Sequence, residues 1–147
     1  MATSFDTIFD AFLSRIDDVE FASLNYEDQM ADLMQWLDSA LAYITTSDLS
    51  LGSDYEARDN TRMEFEDDLT RTEIQVIAMY MMVPYLDRKI NALEHMQSVF
   101  ASNSEKWTDQ NRHMQQLMEA RMYWLVEARK LFRNKSTRTN SYLGGNT

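Results

Sequence analysis

The chain has 147 residues, no cysteine, three glycines, one proline and 44% hydrophobic residues, which suits one helical domain with a single core and excludes disulfides and thiolate chemistry. Its net charge of −10 is unevenly spread: residues 1–70 hold 17 acids against Arg15, Arg58 and Arg62, a balance of −14, and residues 71–147 hold 7 acids and 11 bases, a balance of +4. Such a division suits an acidic face that meets a neighbour's basic face, an acidic surface kept toward something it must not bind, or simply a solvated surface.

In chain order, Ser4 or Thr3 can cap a first helix whose residues Phe5, Ile8, Phe9, Phe12, Leu13 and Ile16 recur at helical spacing. Asp17 and Asp18 end it, and Val19 to Leu24 form a connector. Asn25 with Asp28 starts a second helix through Met30, Leu33, Met34, Leu37, Leu41 and Ile44, flanked by Trp36 and Tyr43. These stripes read as core, because a helix in a small bundle must bury one face. From Thr45 to Leu69 the pattern dissolves into a long acidic loop anchored by Tyr55, Met63, Phe65 and Leu69. A loop of that length in a small domain is expected to cross the bundle or reach a neighbour, and it has room for a short helical turn or a strand pair.

Thr70 and Glu73 have capping-box spacing and open the helix on which the rest is organised. Its first half, from Ile74 to Leu86, is apolar nearly all round and predicts neighbours on several sides. Pro84 lies inside this helix and predicts a kink or a break. Those 13 uncharged residues fall short of the roughly 18 that cross a bilayer. Asp6 and Asp10 interrupt any signal-peptide pattern, so the sequence reads as soluble and unsecreted, with no membrane partner. Ser102 and Glu105 repeat the capping box and launch a long helix to about Asn134, with Trp107, Met114, Leu117, Met118, Arg121 and Trp124, then Leu125, Ala128, Leu131 and Phe132, on or beside one face. Residues 135–147 read as a flexible arm. The fold class expected is therefore all-α: a bundle of about four main helices (1–134), a long acidic loop and an extended C-terminal arm.

Chemistry finds few carriers. Di-iron bundles use Glu-x-x-His, but Ala92 and Gln110 stand three residues before His95 and His113. Asp109 and His113 share a helix face, two groups short of a metal site. Asp48, Ser50, Asp54, Glu56 and Asp59 partly match a calcium loop, except that Gly52 falls at the fifth position and Asp59 replaces the bidentate Glu of the twelfth. A small regulatory or calcium-responsive binding module is the corresponding alternative function. Three glycines leave no phosphate loop, nucleophile elbow or dinucleotide fingerprint, so no catalytic residue and no cofactor is expected. The basic run Arg129, Lys130, Arg133, Lys135 and Arg138 complements a helix C-terminus, or meets an acidic partner surface such as a sister subunit's N-terminal half.

The order of features also resembles a known family. An aromatic first helix (Phe5, Phe9, Phe12), Asp48-Leu49-Ser50, Phe65 before Asp68-Leu69-Thr70 and Glu73-Ile74, then Val83 to Leu86, Trp107, and Glu127 to Leu131 resemble the head-tail connector, or neck adaptor, proteins of long-tailed bacteriophages. The resemblance covers most of the chain and departs from the pattern at Pro84 and at Met79 to Met82. It implies a non-enzymatic virion protein, assembled in the host cytoplasm, that forms a homo-oligomeric ring, commonly a dodecamer. Such a ring docks on the portal protein, meets a stopper or tail-terminator neck protein, and lets genomic DNA pass without sequence-specific binding. Arg129, Lys130, Arg133, Lys135 and Arg138, with Tyr142 and Leu143 as arm anchors, are then the expected portal or subunit contacts, and Asp48, Asp54, Glu56 and Asp59 an acidic-loop contact. Another neck or tail-completion ring is the nearest alternative.

Overall fold

A helix that is apolar all round is stable only if other elements cover it, and that requirement organises the chain. The computed structural model describes residues 2–45, 53–99 and 104–139. Among these, five helices and three two-residue strands follow in the order β1 (Thr3–Ser4), α1 (Phe5–Leu13), α2 (Val19–Ala22), α3 (Tyr26–Thr45), β2 (Arg58–Asp59), β3 (Glu64–Phe65), α4 (Arg71–Val99) and α5 (Ser104–Thr139). The fold is an all-α bundle, as the hydrophobic periodicity predicts. α1, α3 and α5 all pack on α4. Val76, Ile77, Ala78, Tyr80, Met81, Met82 and Val83 of α4 are buried, leaving almost no direction around its axis uncovered.

Cross-helix partners give the directions. Arg88 of α4 meets Asp32 of α3, and Tyr80 stacks on Tyr43, so residue numbers fall along α4 as they rise along α3. Asp87 meets Arg121 of α5, and Tyr80 hydrogen-bonds Arg129. Both α3 and α5 therefore lie antiparallel to α4. Phe12, Trp36 and Tyr85 form an edge-to-face and tilted aromatic cluster, with centroids 5.3–5.6 Å apart, where α1 and α3 meet α4.

Of the kink or break expected at Pro84, the break does not occur: α4 is one helix through it. A mid-helix proline costs about 3 kcal/mol, whereas each large apolar side chain buried beside it returns about 1.5–3 kcal/mol. Met81, Met82, Val83, Tyr85 and Leu86 are all buried, so packing outweighs the lost backbone bond. The first helix ends at Leu13 rather than continuing through Ile16. Arg15 N–H closes a tight turn on the Phe12 carbonyl, and the Arg15 side chain reaches Gln75 of α4 and the Trp124 ring of α5. Asp18, read as a helix end, instead caps the one-turn α2, accepting from Phe21 N–H at 3.0 Å.

Of the helical turn and the strand pair open to the acidic segment, the structure has the strand pair, β2 with β3. β3 pairs antiparallel with both β1 and β2, in the order β1-β3-β2, placing Thr3 opposite Phe65 and Phe65 opposite Arg58. Phe65 is buried against Phe5 and Tyr55. The capping box at α4 forms as its spacing requires: Thr70 Oγ1 accepts from Glu73 N–H at 3.3 Å, and Thr70 N–H donates to Glu73 Oε2 at 2.6 Å. Glu73 does more than cap. It is 1% exposed, and its Oε1 accepts from the Ser53 hydroxyl at 2.6 Å and the Tyr55 hydroxyl at 3.0 Å. Burial, with Glu73 beside it, pushes the Tyr55 hydroxyl well above its ordinary range. At the other end of the chain α5 continues past Asn134 to Thr139, taking in Lys135 and Arg138, and no glycine or proline lies between Asn134 and Gly144 to stop it sooner. The second capping box begins at Ser102, outside the described residues.

Removing the Glu73 carboxylate strands three donors at once. Glu73→Ala is expected to lower unfolding free energy by about 2–4 kcal/mol, and Tyr55→Phe by about 1 kcal/mol, in urea titrations.

Candidate interaction surface

α5 is seated by a half-buried polar cluster as well as by apolar packing. Arg121 donates from Nε to Asp87 Oδ1 at 2.5 Å and also bonds Tyr43, whose ring stacks on Tyr80 at 5.8 Å and 13°. Burial pushes the Tyr80 hydroxyl up, against the pull of Arg129 and Arg133. Three helices are thereby tied along one seam. Ala128 and Phe132 are buried, while Leu117, Ala120, Trp124, Leu125 and Leu131 are half-buried against the core.

The opposite face of α5 exposes large apolar side chains among its polar ones. Met118, Met122 and Val126, spaced four residues apart, are 48%, 55% and 45% exposed, and the neighbouring Tyr123 is 56% exposed. Met118, which the sequence places on or beside the core-facing stripe, belongs to this outer one. Four-residue spacing off the main stripe is the signal that could have revealed it. Arg112, Arg129, Lys130 and Arg133 are exposed around the stripe, and Glu119 is the one exposed acid among residues 112–133. Of the basic residues expected at a contact, the structure thus gathers Arg129, Lys130 and Arg133 beside an apolar stripe. Lys135 and Arg138 continue the same helix. Tyr142 and Leu143 lie outside the described residues.

Of the four acidic-loop residues, Asp54 and Asp59 accept local backbone bonds. Asp48 lies outside the described residues, and Glu56 is exposed. Asp54 Oδ1 accepts from Glu56 N–H at 3.0 Å. Asp59 Oδ1 accepts from the N–H groups of Thr61 and Arg62 at 2.8 and 3.0 Å, bonds that hold its carboxyl below the usual range. Both are turn-forming uses of a carboxylate. No group of three or more His, Asp or Glu side chains among the described residues is placed to hold a metal ion, and Asp109 and His113 are both exposed on α5. No described helix is long and apolar enough to cross a membrane.

A second exposed apolar feature, missed by the sequence reading, sits where α2 turns into α3. Val19 is 81% and Tyr26 74% exposed, with Leu24 between them at 37%. Asp17, Glu20, Glu27 and Asp28 are exposed around this corner, and no base falls between Asp17 and Asp28. Phe21 points inward onto Trp36, 5.6 Å between centroids, and anchors the corner. Below it is a half-open groove of about 300 Å³. Four of its charged residues pair with one another or with Tyr85: Asp18 with Lys89 at 2.9 Å and the Tyr85 hydroxyl at 2.8 Å, and Asp32 with Arg88 at 2.6 Å, while Glu20 is exposed at its edge. No protein-family model, curated protein or solved structure matches the chain.

Burial alone would raise the Asp18 carboxyl, but Phe21 N–H, Lys89 and the Tyr85 hydroxyl outweigh it and hold its pKa down to about 2, below an ordinary 3.8. The folded value is the lower one, so this stabilisation is complete above about pH 4 and disappears as pH falls from about 4 to about 2. Asp18→Asn is expected to cost about 1 kcal/mol at pH 7, after allowance for solvent screening, and to flatten that acid limb in pH-dependent urea unfolding.

Proposed function

We propose that this chain is a structural, non-enzymatic subunit of the head-to-tail neck of a long-tailed bacteriophage, assembled in the host cytoplasm and resident in the virion. Copies form a ring, commonly twelve in similar proteins, that docks on the portal, receives the stopper or tail-terminator protein, and surrounds the passing DNA. The observation that carries this reading is the apolar stripe left open on α5: a helix with one face in the core and a second apolar face in solvent is built to be covered by another protein surface. The order of sequence features that resembles neck adaptors supplies the context. The basic end of α5, Arg129, Lys130 and Arg133 with Lys135 and Arg138, is assigned to the portal or an adjacent subunit, with Tyr142 and Leu143 of the arm as further anchors.

The excess of acid in the first half of the chain fits the same role. Binding to duplex DNA is driven by cations that replace condensed counterions, so an acidic channel wall repels the phosphates and lets the duplex slide. The neck assignment is tested by electron microscopy of particles made when the gene carries a nonsense mutation. DNA-filled or leaky heads beside complete, unattached tails are expected. Filled heads beside unfinished tails would move the protein to a tail-completion tier, and intact infectious particles would contradict a neck role.

A further inference from the structure

The two exposed apolar features differ in the sign of the charge around them. The α5 stripe, Met118, Met122, Tyr123 and Val126, has four exposed bases around it, Arg112, Arg129, Lys130 and Arg133, against one exposed acid, Glu119, whereas the α2–α3 corner, Val19, Leu24 and Tyr26, has Asp17, Glu20, Glu27 and Asp28 around it, with Arg88 the exposed base of the groove below. Both are exposed in the same chain, so neither covers the other within one subunit. We propose that the α2–α3 corner of one copy seats on the α5 stripe of the next, so that the chain assembles head to tail through two different faces. The inference rests on the reading that the chain works as an oligomer, and it names which surfaces meet.

Charge decides between this pairing and its rivals. If two α5 stripes met antiparallel about Met122, Arg112 of one copy would approach the basic end of the other, and like charges at a desolvated contact repel. Two corners meeting each other would face acid with acid. Joining corner to stripe buries apolar surface on both sides and sets Glu20 and its neighbours against Lys130 and its neighbours. The geometry has a consequence for assembly. A contact between two unlike faces leaves one of each unsatisfied at the ends of every short oligomer, so growth continues, and it ends in a closed ring where the rotation between neighbours closes and in an open filament where it does not.

The corner is also firm enough to act as a knob. Asp18 caps α2, Asn25 and Asp28 exchange two 2.9 Å bonds at the start of α3, and the Gln29 amide donates to the Phe21, Ala22 and Leu24 carbonyls at 3.1–3.3 Å. Val19, Leu24 and Tyr26 are thus presented from a fixed turn, and little ordering is left to be done on contact.

The chain contains no cysteine, so paired single-cysteine variants of the full-length protein test the contact without background. Val19→Cys and Met122→Cys both replace exposed side chains. An equimolar mixture under mild oxidation is expected to give a disulfide-linked dimer containing one of each variant. In sedimentation velocity, Glu20→Lys or Lys130→Glu alone is expected to weaken self-association about tenfold, and the double variant to regain most of that loss. Met122→Cys linking to itself in preference to the mixed product would overturn the proposal. So would a protein that stays monomeric and unlinked up to millimolar concentration. Failure here, with nonsense particles still showing tailless heads, would leave the neck reading standing and only this interface wrong. A mixed disulfide with intact nonsense particles would do the reverse.

Discussion

The Glu73 carboxylate is the constraint on which the described fold turns. It is a buried acid in a chain already overloaded with acids, and a buried carboxylate is tolerable only when its oxygens are fully engaged. Three donors meet it: the Thr70 N–H, the Ser53 hydroxyl and the Tyr55 hydroxyl. Its place in the first turn of α4 adds the favourable end of the helix dipole. One side chain therefore fixes where α4 begins and where the acidic segment returns to the core. Tyr55 and Phe65 then hold the small sheet, β3 pairs with β1, and Phe5 enters the core at the start of α1. The Leu69 N–H, which donates to the buried Thr3 hydroxyl at 2.8 Å, closes the same circuit from the other side.

From that fixed start α4 acts as a post with three helices around it. α5 is the longest of them at 36 residues, about 54 Å at 1.5 Å per residue, and is the least completely covered. Only Ala128 and Phe132 among its described side chains are buried. Its attachment depends on the seam of Tyr43, Tyr80, Asp87, Arg121 and Arg129, which sets the rotation of the helix about its axis. With that rotation fixed, Met118, Met122 and Val126 cannot turn inward. The exposed stripe is a consequence of how α5 is held, and a partner surface is what would complete its burial.

Much of this architecture was legible in the sequence because it is written in local rules. The capping spacings at Ser4, Asn25–Asp28 and Thr70–Glu73, the aromatic stripe of the first helix, and the all-round apolar start of α4 each depend on residues within one or two turns. What stayed hidden depends on distant partners. Pro84 is overruled by packing from other helices, and Arg15 leaves the helical path for Gln75, 60 residues away. Asp18 looks like a helix terminator and is instead paired with Lys89 and Tyr85. At the interaction surface, the basic residues Arg129, Lys130 and Arg133 were legible as a charged run, but the apolar stripe beside them was not. On a helix with two apolar stripes, periodicity alone does not say which one faces the core, and it does not separate Met118 from the inward set it adjoins. The Val19–Tyr26 corner gave no periodic signal, being a single turn between two helices.

If the outer stripe of α5 is a contact between copies, its methionines should change environment on assembly. Oxidative footprinting of Met118 and Met122, compared between the free chain and purified phage particles, reads this directly, with buried Met81 and Met82 as internal references. Rapid sulfoxide formation at Met118 and Met122 in the free chain, and marked protection of both in the particle, is the predicted result. Equal reactivity in both states would contradict the account, because the stripe would then face solvent in the assembled protein as well.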